Sequence, residues 1–379
     1  MIPCPRVLLI GAAHRNAGKT EFACEVIRRQ AAARRVVGVK VTTISEREGL
    51  CPRGGEGCGV CGSLTGEFCV TEELRPDLAK DTSRLLRAGA AQVLWLRVRQ
   101  PHLAEGLTAT LARIPPDALI VCESNSARRV IEPGLFLVLR RADDPSLKPS
   151  SATVAHLADR VVRFHGDRWD LAPDRVVPAG DRWVLQPEAT AVILAGGESR
   201  RMGTDKSLCD AGGRPLIAHI AAQLDYFPER LIGASAADRF AFLGLPVVPD
   251  REPGRGPLMG ILSCVERAAY DLSFVTACDI PHLDSAFVLG LLAQAGEVDI
   301  VLPRLPDGRT EPLLAVYRKT IIPAAEAALR DGQRRIVSLL DHVRVRFVPF
   351  GPPAWYRNLN SPHDLATWRR DLAGPSESA

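Results

Sequence analysis

Residues 194–206 read Leu194-Ala195-Gly196-Gly197-Glu198-Ser199-Arg200-Arg201-Met202-Gly203-Thr204-Asp205-Lys206, a run whose residue types suit anionic phosphates. Without Cβ atoms, Gly196 and Gly197 let backbone N–H groups approach phosphate oxygens, and Arg201 and Lys206 supply the cations that a departing pyrophosphate needs. Downstream stand Pro249-Asp250, the helix opening Gly256-Pro257-Leu258-Met259-Gly260-Ile261, and the strand end Phe274-Val275-Thr276-Ala277-Cys278-Asp279-Ile280-Pro281. Asp279, closing an apolar strand and followed by a proline, is placed to hold Mg²⁺ against an α-phosphate, while Asp250 can accept from a base or ribose. The plainer readings are a glycine-rich turn with solvated arginines and, for Asp279, a helix N-cap before Leu283.

A second constellation lies near the start, at Ala13-His14-Arg15-Asn16-Ala17-Gly18-Lys19-Thr20. It follows the strand Arg6–Ile10 and opens a helix, the context a phosphate-binding P-loop demands. Ala13 stands in place of the first glycine. In the functional reading Gly18 shapes the loop, Lys19 reaches the β- and γ-phosphates, Thr20 holds Mg²⁺, and Glu123, ending the strand Ala118–Cys122, orients the metal or its water. The alternative is a helix N-terminus that happens to contain Gly-Lys-Thr. Lysine is scarce in this chain, six against 42 arginines, yet Lys19 and Lys206 both sit in glycine-containing loops after apolar strands.

Of ten cysteines, four crowd into Cys51, Cys58, Cys61 and Cys69, spaced C-x6-C-x2-C-x7-C in a glycine-rich insert. Thiolates at that density suit zinc or an iron–sulfur cluster, but the spacing matches no standard site; a redox pair or a reduced loop without an ion remain open. The other six are scattered singly, unlike a secreted disulfide framework.

The elements that must position these residues follow from periodicity. At about 150 residues per domain, 379 residues, 46% hydrophobic and 24% charged, give two domains. Residues 6–165 alternate β-branched runs with amphipathic segments: a helix Lys19–Arg34, strand Val36–Thr42, helix Leu78–Ala88, strand Val93–Val98, helix Leu103–Arg113 and strand Ala118–Cys122. A parallel sheet with helices on both faces is predicted. Residues 166–188, with scattered Pro, Gly, Asp and Trp, read as a linker. The alternation restarts at Ala191–Ala195 and continues through a helix Pro215–Leu224, strands near Arg230–Ala234, Val247-Val248, Ser273–Ala277, Asp299–Leu302, Leu313–Tyr317 and Val343–Val348, and a last helix from Pro362. No repeat links the halves. No apolar run of about 18 residues is available to cross a membrane, and the first apolar stretch runs into Gly18-Lys19-Thr20 instead of a cleavage site, so a cytoplasmic protein is expected. A net charge of +4 is too weak to argue for nucleic acid.

Residues 190–370 resemble the molybdenum cofactor guanylyltransferases, which make molybdopterin guanine dinucleotide. The likeness is carried by the LAGGxSxRMGxDK loop, the GPLxGI helix start, the CDIP strand end, Glu311-Pro312-Leu313-Leu314-Ala315-Val316-Tyr317 and Asn358-Leu359-Asn360-Ser361-Pro362-His363-Asp364-Leu365. Residues 5–125 are similar to the GTP-binding adaptor that partners such an enzyme, through the Gly-Lys-Thr loop, Asp81-Thr82-Ser83-Arg84 and Leu119-Ile120-Val121-Cys122-Glu123, although Ser124 replaces a glycine. The resemblance implies an α/β fold of two domains: residues 1–165, a P-loop NTPase-like parallel sheet carrying the Cys-rich insert 51–69, and residues 189–379, a Rossmann-like nucleotidyltransferase.

By this resemblance Leu194, Ala195, Gly196, Gly197, Lys206, Asp250 and Asp279 bind nucleotide, Asp279 holds Mg²⁺, Arg201, Lys206 and Asp279 serve catalysis, and Asn358 and Asn360 lie near the pterin. GTP and molybdopterin are the implied substrates, with molybdoenzyme apoproteins or cofactor chaperones as partners. Gly233-Ala234-Ser235 stands where family members often carry a purine-reading asparagine, which keeps CTP open; the GPLxGI pattern favours guanine. A sugar-phosphate acceptor and a non-catalytic cofactor carrier gated by GTP are the other readings.

Overall fold

Strand β1, Ile2–Ala12, shows how the first half folds. Leu8 and Ile10 enter one apolar core with Phe22 and Ile27, while Val7 and Leu9 enter another with Val39 and Leu96. A strand buried on both faces belongs at the centre of a parallel sheet covered by helices. The computed structural model describes residues 1–14, 16–44, 64, 66–196, 205–235, 238–359 and 361–373. In chain order the first unit continues with α1 (Lys19–Gln30), β2 (Val36–Ile44), β3 (Phe68–Glu72), α2 (Asp81–Arg87), β4 (Gln92–Arg99), α3 (Leu103–Leu111), β5 (Leu119–Glu123), β6 (Ile131–Arg141), α4 (Pro149–Ala152) and β7 (Arg160–Phe164). The sheet order is β3-β4-β2-β5-β1-β6-β7, and β3 runs antiparallel to β4 at one edge.

The expected linker is largely folded. Residues Val176–Ala179 and Arg182–Leu185 form an antiparallel hairpin, β8 and β9, and Trp183 of β9 is fully buried in the core that holds Leu8 and Phe22. Trp169 packs edge-on against Phe22 with ring centroids 5.3 Å apart. The first compact unit therefore ends at Leu185 and the second begins at Gln186.

The second unit comprises β10 (Ala189–Leu194), α5 (Leu216–Gln223), β11 (Glu229–Ala234), β12 (Val247–Pro249), α6 (Pro257–Arg267), β13 (Leu272–Ala277), α7 (Ser285–Ala293), β14 (Ile300–Arg304), β15 (Leu314–Arg318), α8 (Ile322–Arg330), β16 (Val345–Pro349) and α9 (Pro362–Ala373). Its sheet order is β12-β11-β10-β13-β15-β14-β16, with β15 antiparallel to both neighbours. Both units are thus α/β with parallel-rich sheets. In the second unit β10 has β11 on one side and β13 on the other, reached in opposite directions across the sheet, the arrangement that leaves a crevice at the C-terminal end of such a strand. Among the described residues no helix is long and apolar enough to cross a membrane.

One buried carboxylate ties the second sheet's edge together. Asp299, 8% exposed, accepts hydrogen bonds from Thr320 Oγ1 at 2.6 Å, the Arg344 amide at 2.8 Å and Arg344 Nη2 at 3.1 Å. The Arg344 guanidinium holds its carboxyl down at about 2. A carboxylate whose folded pKa lies below its unfolded value stabilises the fold above the unfolded pKa and loses that contribution as pH falls through the folded one. Asp299→Asn is expected to lower unfolding free energy by about 2 kcal/mol at neutral pH in denaturant melts, with the gap to wild type closing between about pH 4 and pH 2. A gap unchanged by acid would count against this role.

Candidate functional site

In the second unit three strand ends are fastened together where the glycine loop begins. The Ala195 amide donates to the Gly233 carbonyl at 2.7 Å, and the Cys278 amide donates to the Leu194 carbonyl at 3.3 Å. Gly233 is fixed by packing: a Cβ there would lie 2.6 Å from Leu194 Cδ2 and 2.9 Å from Cys264 Sγ. An asparagine at 233 would have to displace both, so the base-reading amide has no room at that position. Nothing crowds Gly196, whose Cβ position is open. Lys206 opens a short 3₁₀ turn capped by Asp205, which accepts from the Ser207 amide at 3.1 Å and the Ser207 hydroxyl at 2.7 Å. The other Asp205 oxygen pairs with Arg239.

Asp279 follows β13, and its main-chain carbonyl accepts from the Leu359 amide at 2.8 Å, which draws the segment containing Asn358 to the same strand end. Asp279, Asp205, Lys206 and Arg239 all act electrostatically on the Cys278 thiol, which burial pushes upward. Lys206 and Asp279 thus both act on the thiol at the end of β13. The N-cap alternative does not hold for Asp279, because α7 is capped by Asp284, whose carboxylate accepts from the Phe287 amide at 2.7 Å. Asp250 Oδ1 lies 3.4 Å from where a Cβ on Gly260 would sit, in the first turns of α6. Burial raises its carboxyl above the usual range.

The first unit assembles its own charged crevice. Gly18 adopts φ +73°, a left-handed conformation that glycine takes without strain, and Lys19 then begins α1. Lys19 Nζ stands 3.6 Å from Glu123 Oε2. Glu123 is completely buried, and neither carboxylate oxygen has a hydrogen-bond partner. The loop's start is pinned by Asn125 Oδ1, which accepts from the Ala12 amide at 2.8 Å, and by the Lys148 amide, which donates to the Ala13 carbonyl at 2.8 Å. Thr20 follows Lys19 in the first turn of α1, and an ion pair between Lys40 and Asp81 lies nearby, with Lys40 beside Glu123 in the strand register.

Comparison with known proteins bears on the second unit. Residues 191–345 match the model of the MobA-like NTP transferase domain. A probable molybdenum cofactor guanylyltransferase from Carboxydothermus hydrogenoformans is 35% identical over 161 residues, which cover 42% of this chain and 81% of the relative. The chain belongs to the molybdenum cofactor guanylyltransferase family. A second such relative, from Pelotomaculum thermopropionicum, is 35% identical over 190 residues, or 48% of this chain and 92% of the relative. Among solved structures, molybdopterin-guanine dinucleotide biosynthesis protein A from Archaeoglobus fulgidus aligns with TM-score 0.42 and 22% identity over 48% of this chain and 98% of that one.

Of the residues expected to serve this guanylyltransferase-family site, Leu194, Ala195, Gly196, Lys206, Asp250, Asp279 and Asn358 are described, and they gather at the C-terminal ends of β10, β12 and β13. Gly197, Arg201 and Asn360 lie outside the described residues, as do Cys51, Cys58 and Cys61. Cys69 falls in β3, where Arg97 Nη2 approaches its sulfur at 3.5 Å. Among the described residues no group of three or more His, Cys, Asp or Glu side chains is placed to hold a metal ion. Sequence reasoning passed over three members. Arg239 supplies a cation beside Asp205, and Glu311 and Tyr356 act on each other electrostatically and both feel the charge of Asp279. The Glu311-Pro312-Leu313 motif marked Glu311 without giving it a role.

Proposed function

We propose that the second unit transfers GMP from GTP to the terminal phosphate of molybdopterin and releases pyrophosphate, and that the first unit is a GTP-binding adaptor domain of the same polypeptide. Family membership of residues 191–345 and the fastening of the β10, β11 and β13 ends at the start of the glycine loop, with Asp279 just after β13, support the first part. The second rests on the Gly18-Lys19-Thr20 helix start and on Lys19 pairing with a buried Glu123 whose carboxylate oxygens accept no hydrogen bond from the described residues.

Mg²⁺ is bound through one or two carboxylates together with substrate phosphates, so a single hard carboxylate such as that of Asp279, whose hydrogen bond to Leu359 runs through the main chain, is an adequate protein ligand. When bound, the ion neutralises charge between nucleophile and α-phosphate. The remaining work falls to the chain. The acceptor phosphate is already anionic at neutral pH, so no general base is required. Backbone N–H groups at Gly196 and Gly197 cradle phosphates, and Lys206 with Arg201 stabilises the departing pyrophosphate. Asp250, half-buried beside α6, is placed to accept from the nucleoside. In the first unit Thr20 and Glu123 provide the matching oxygen donors for the ion on a second nucleotide, and Lys19 spans to its phosphates. All seven cysteines among the described residues are free thiols, the state that a reducing cytoplasm maintains.

The test is product analysis with the full chain, molybdopterin, Mg²⁺ and either GTP or CTP. Pyrophosphate and the guanine dinucleotide are expected from GTP alone. Preferential reaction with CTP would change the nucleotide assignment, and tight cofactor binding without pyrophosphate would favour a carrier.

A further inference from the structure

The second unit contains a carboxylate with no assigned part, set where the acceptor must lie. Sheet order divides the crevice: the glycine loop and Asp250 belong to the β10–β11–β12 half, Glu311 precedes β15 on the other half, and Asp279 ends β13 between them. A nucleotide held by Gly196, Lys206 and Asp250 leaves the β15 side for the acceptor.

Glu311 is half-buried there, and burial pushes its carboxyl above the ordinary glutamate range. The Tyr356 hydroxyl works against that shift and lowers it. That hydroxyl also accepts from Asn358 Nδ2 at 3.0 Å. Burial pushes the Tyr356 phenol upward, so it keeps its proton and stays a donor group. One hydroxyl uses only a fraction of a carboxylate's acceptor capacity. Aromatic rings flank the place: Phe350 and Tyr356 have centroids 4.9 Å apart, and Trp355, itself half-buried, lies 6.0 Å from Tyr356.

We propose that Glu311 is a specificity-determining residue that reads the 2-amino-4-oxo edge of the pterin acceptor. Its remaining lone pairs accept the ring N3–H and the exocyclic 2-amino group, a paired-donor pattern that a carboxylate matches and that Trp355 supports with an apolar face. Tyr356 and Asn358 position the carboxylate. This assignment rests on the guanylyltransferase reading. Guanine presents the same two donors, and a carboxylate that feels the charge of Asp279 could serve its metal instead, so the experiment separates all three.

Glu311→Gln keeps the shape but turns one acceptor into a donor. In steady-state pyrophosphate release by the full chain, KM for molybdopterin is expected to rise about 10- to 100-fold, with KM for GTP and the Mg²⁺ half-saturation point unchanged. Tyr356→Phe, which removes the orienting hydroxyl and leaves Glu311, should move the same KM by a few-fold, roughly a lost hydrogen bond, and guards against misfolding of the first variant. Independently of turnover, the fluorescence of 6-hydroxymethylpterin and of its 2-oxo counterpart, 6-hydroxymethyllumazine, is titrated with both proteins. Wild type should prefer the pterin by at least about tenfold, and Glu311→Gln should lose the preference. A raised KM for GTP, a raised Mg²⁺ requirement, or an unchanged pterin preference would overturn the proposal. Wild-type protein that prefers the pterin but makes no dinucleotide would overturn the guanylyltransferase reading while leaving Glu311 as a pterin contact.

Discussion

Asp279→Asn is expected to lower the rate of pyrophosphate formation by at least about 10²-fold while the chain melts as wild type does. The side chain follows a buried strand whose residues Phe274 and Val275 are fully enclosed, so the backbone that presents it is held by the sheet. Its link to the Leu359 amide runs through the main-chain carbonyl, which the substitution leaves in place. Capping of α7 belongs to Asp284, five residues on. The amide therefore keeps the shape and every contact on which folding depends, and forfeits the full negative charge. A structural role predicts near-normal turnover; a charge role predicts the drop. The measurement is steady-state pyrophosphate release at saturating Mg²⁺, repeated with Mn²⁺, which tolerates poorer ligands and should restore part of the rate. Wild-type melting together with wild-type turnover would remove Asp279 from the site.

Much of this site was legible because its residues sit at element ends that the sequence announces. Val192 and Leu194 of β10 point into one core, and the apolar run stops where the glycines start, so the loop's position at a strand terminus follows from alternation. The same holds for Asp279 after Leu272–Ala277, and for Lys19 after β1. The Glu311–Tyr356–Asn358 chain was not legible, because it joins residues about 45 positions apart through a side-chain interaction that no periodicity encodes. The hairpin Val176–Leu185 was misread for a related reason. Gly180 and Asp181 mark a turn, but whether a turn separates domains or closes a hairpin depends on where Trp183 is buried, and that is a tertiary fact. Asp284, rather than Asp279, caps a helix because α7 begins one turn later than the proline at 281 indicated. The antiparallel edge strand β3 escaped notice for want of apolar alternation: all but its last residue are half-buried, and its exposed flank carries Glu72.

Lys19→Ala is expected to remove one of two nucleotide sites, taking the full chain from about two bound nucleotides to about one, with pyrophosphate formation largely intact. Lys19 is the cation nearest the crevice carboxylate, 3.6 Å from Glu123. Deleting it withdraws the charge that meets the phosphates and also leaves a fully buried glutamate without its counter-ion, a defect that by itself costs about 3–5 kcal/mol when the charge persists. Loss of binding in the single variant would then mix two causes. The double variant Lys19→Ala with Glu123→Gln, read beside Glu123→Gln alone, separates them, since a neutral amide tolerates burial far better than an unpaired carboxylate and the single amide variant shows what loss of the Glu123 charge does by itself. Stability should return in the double variant and nucleotide binding should not. Stoichiometry by equilibrium dialysis with GTP, beside thermal melts and pyrophosphate release, gives the three readouts needed. Loss of pyrophosphate formation in parallel with nucleotide binding, in the stable double variant, would show that the two units act through a single shared site and would overturn the division into an adaptor and a transferase. Retention of both nucleotides would instead make Gly18-Lys19-Thr20 an ordinary helix start, with Lys19 serving only to neutralise Glu123.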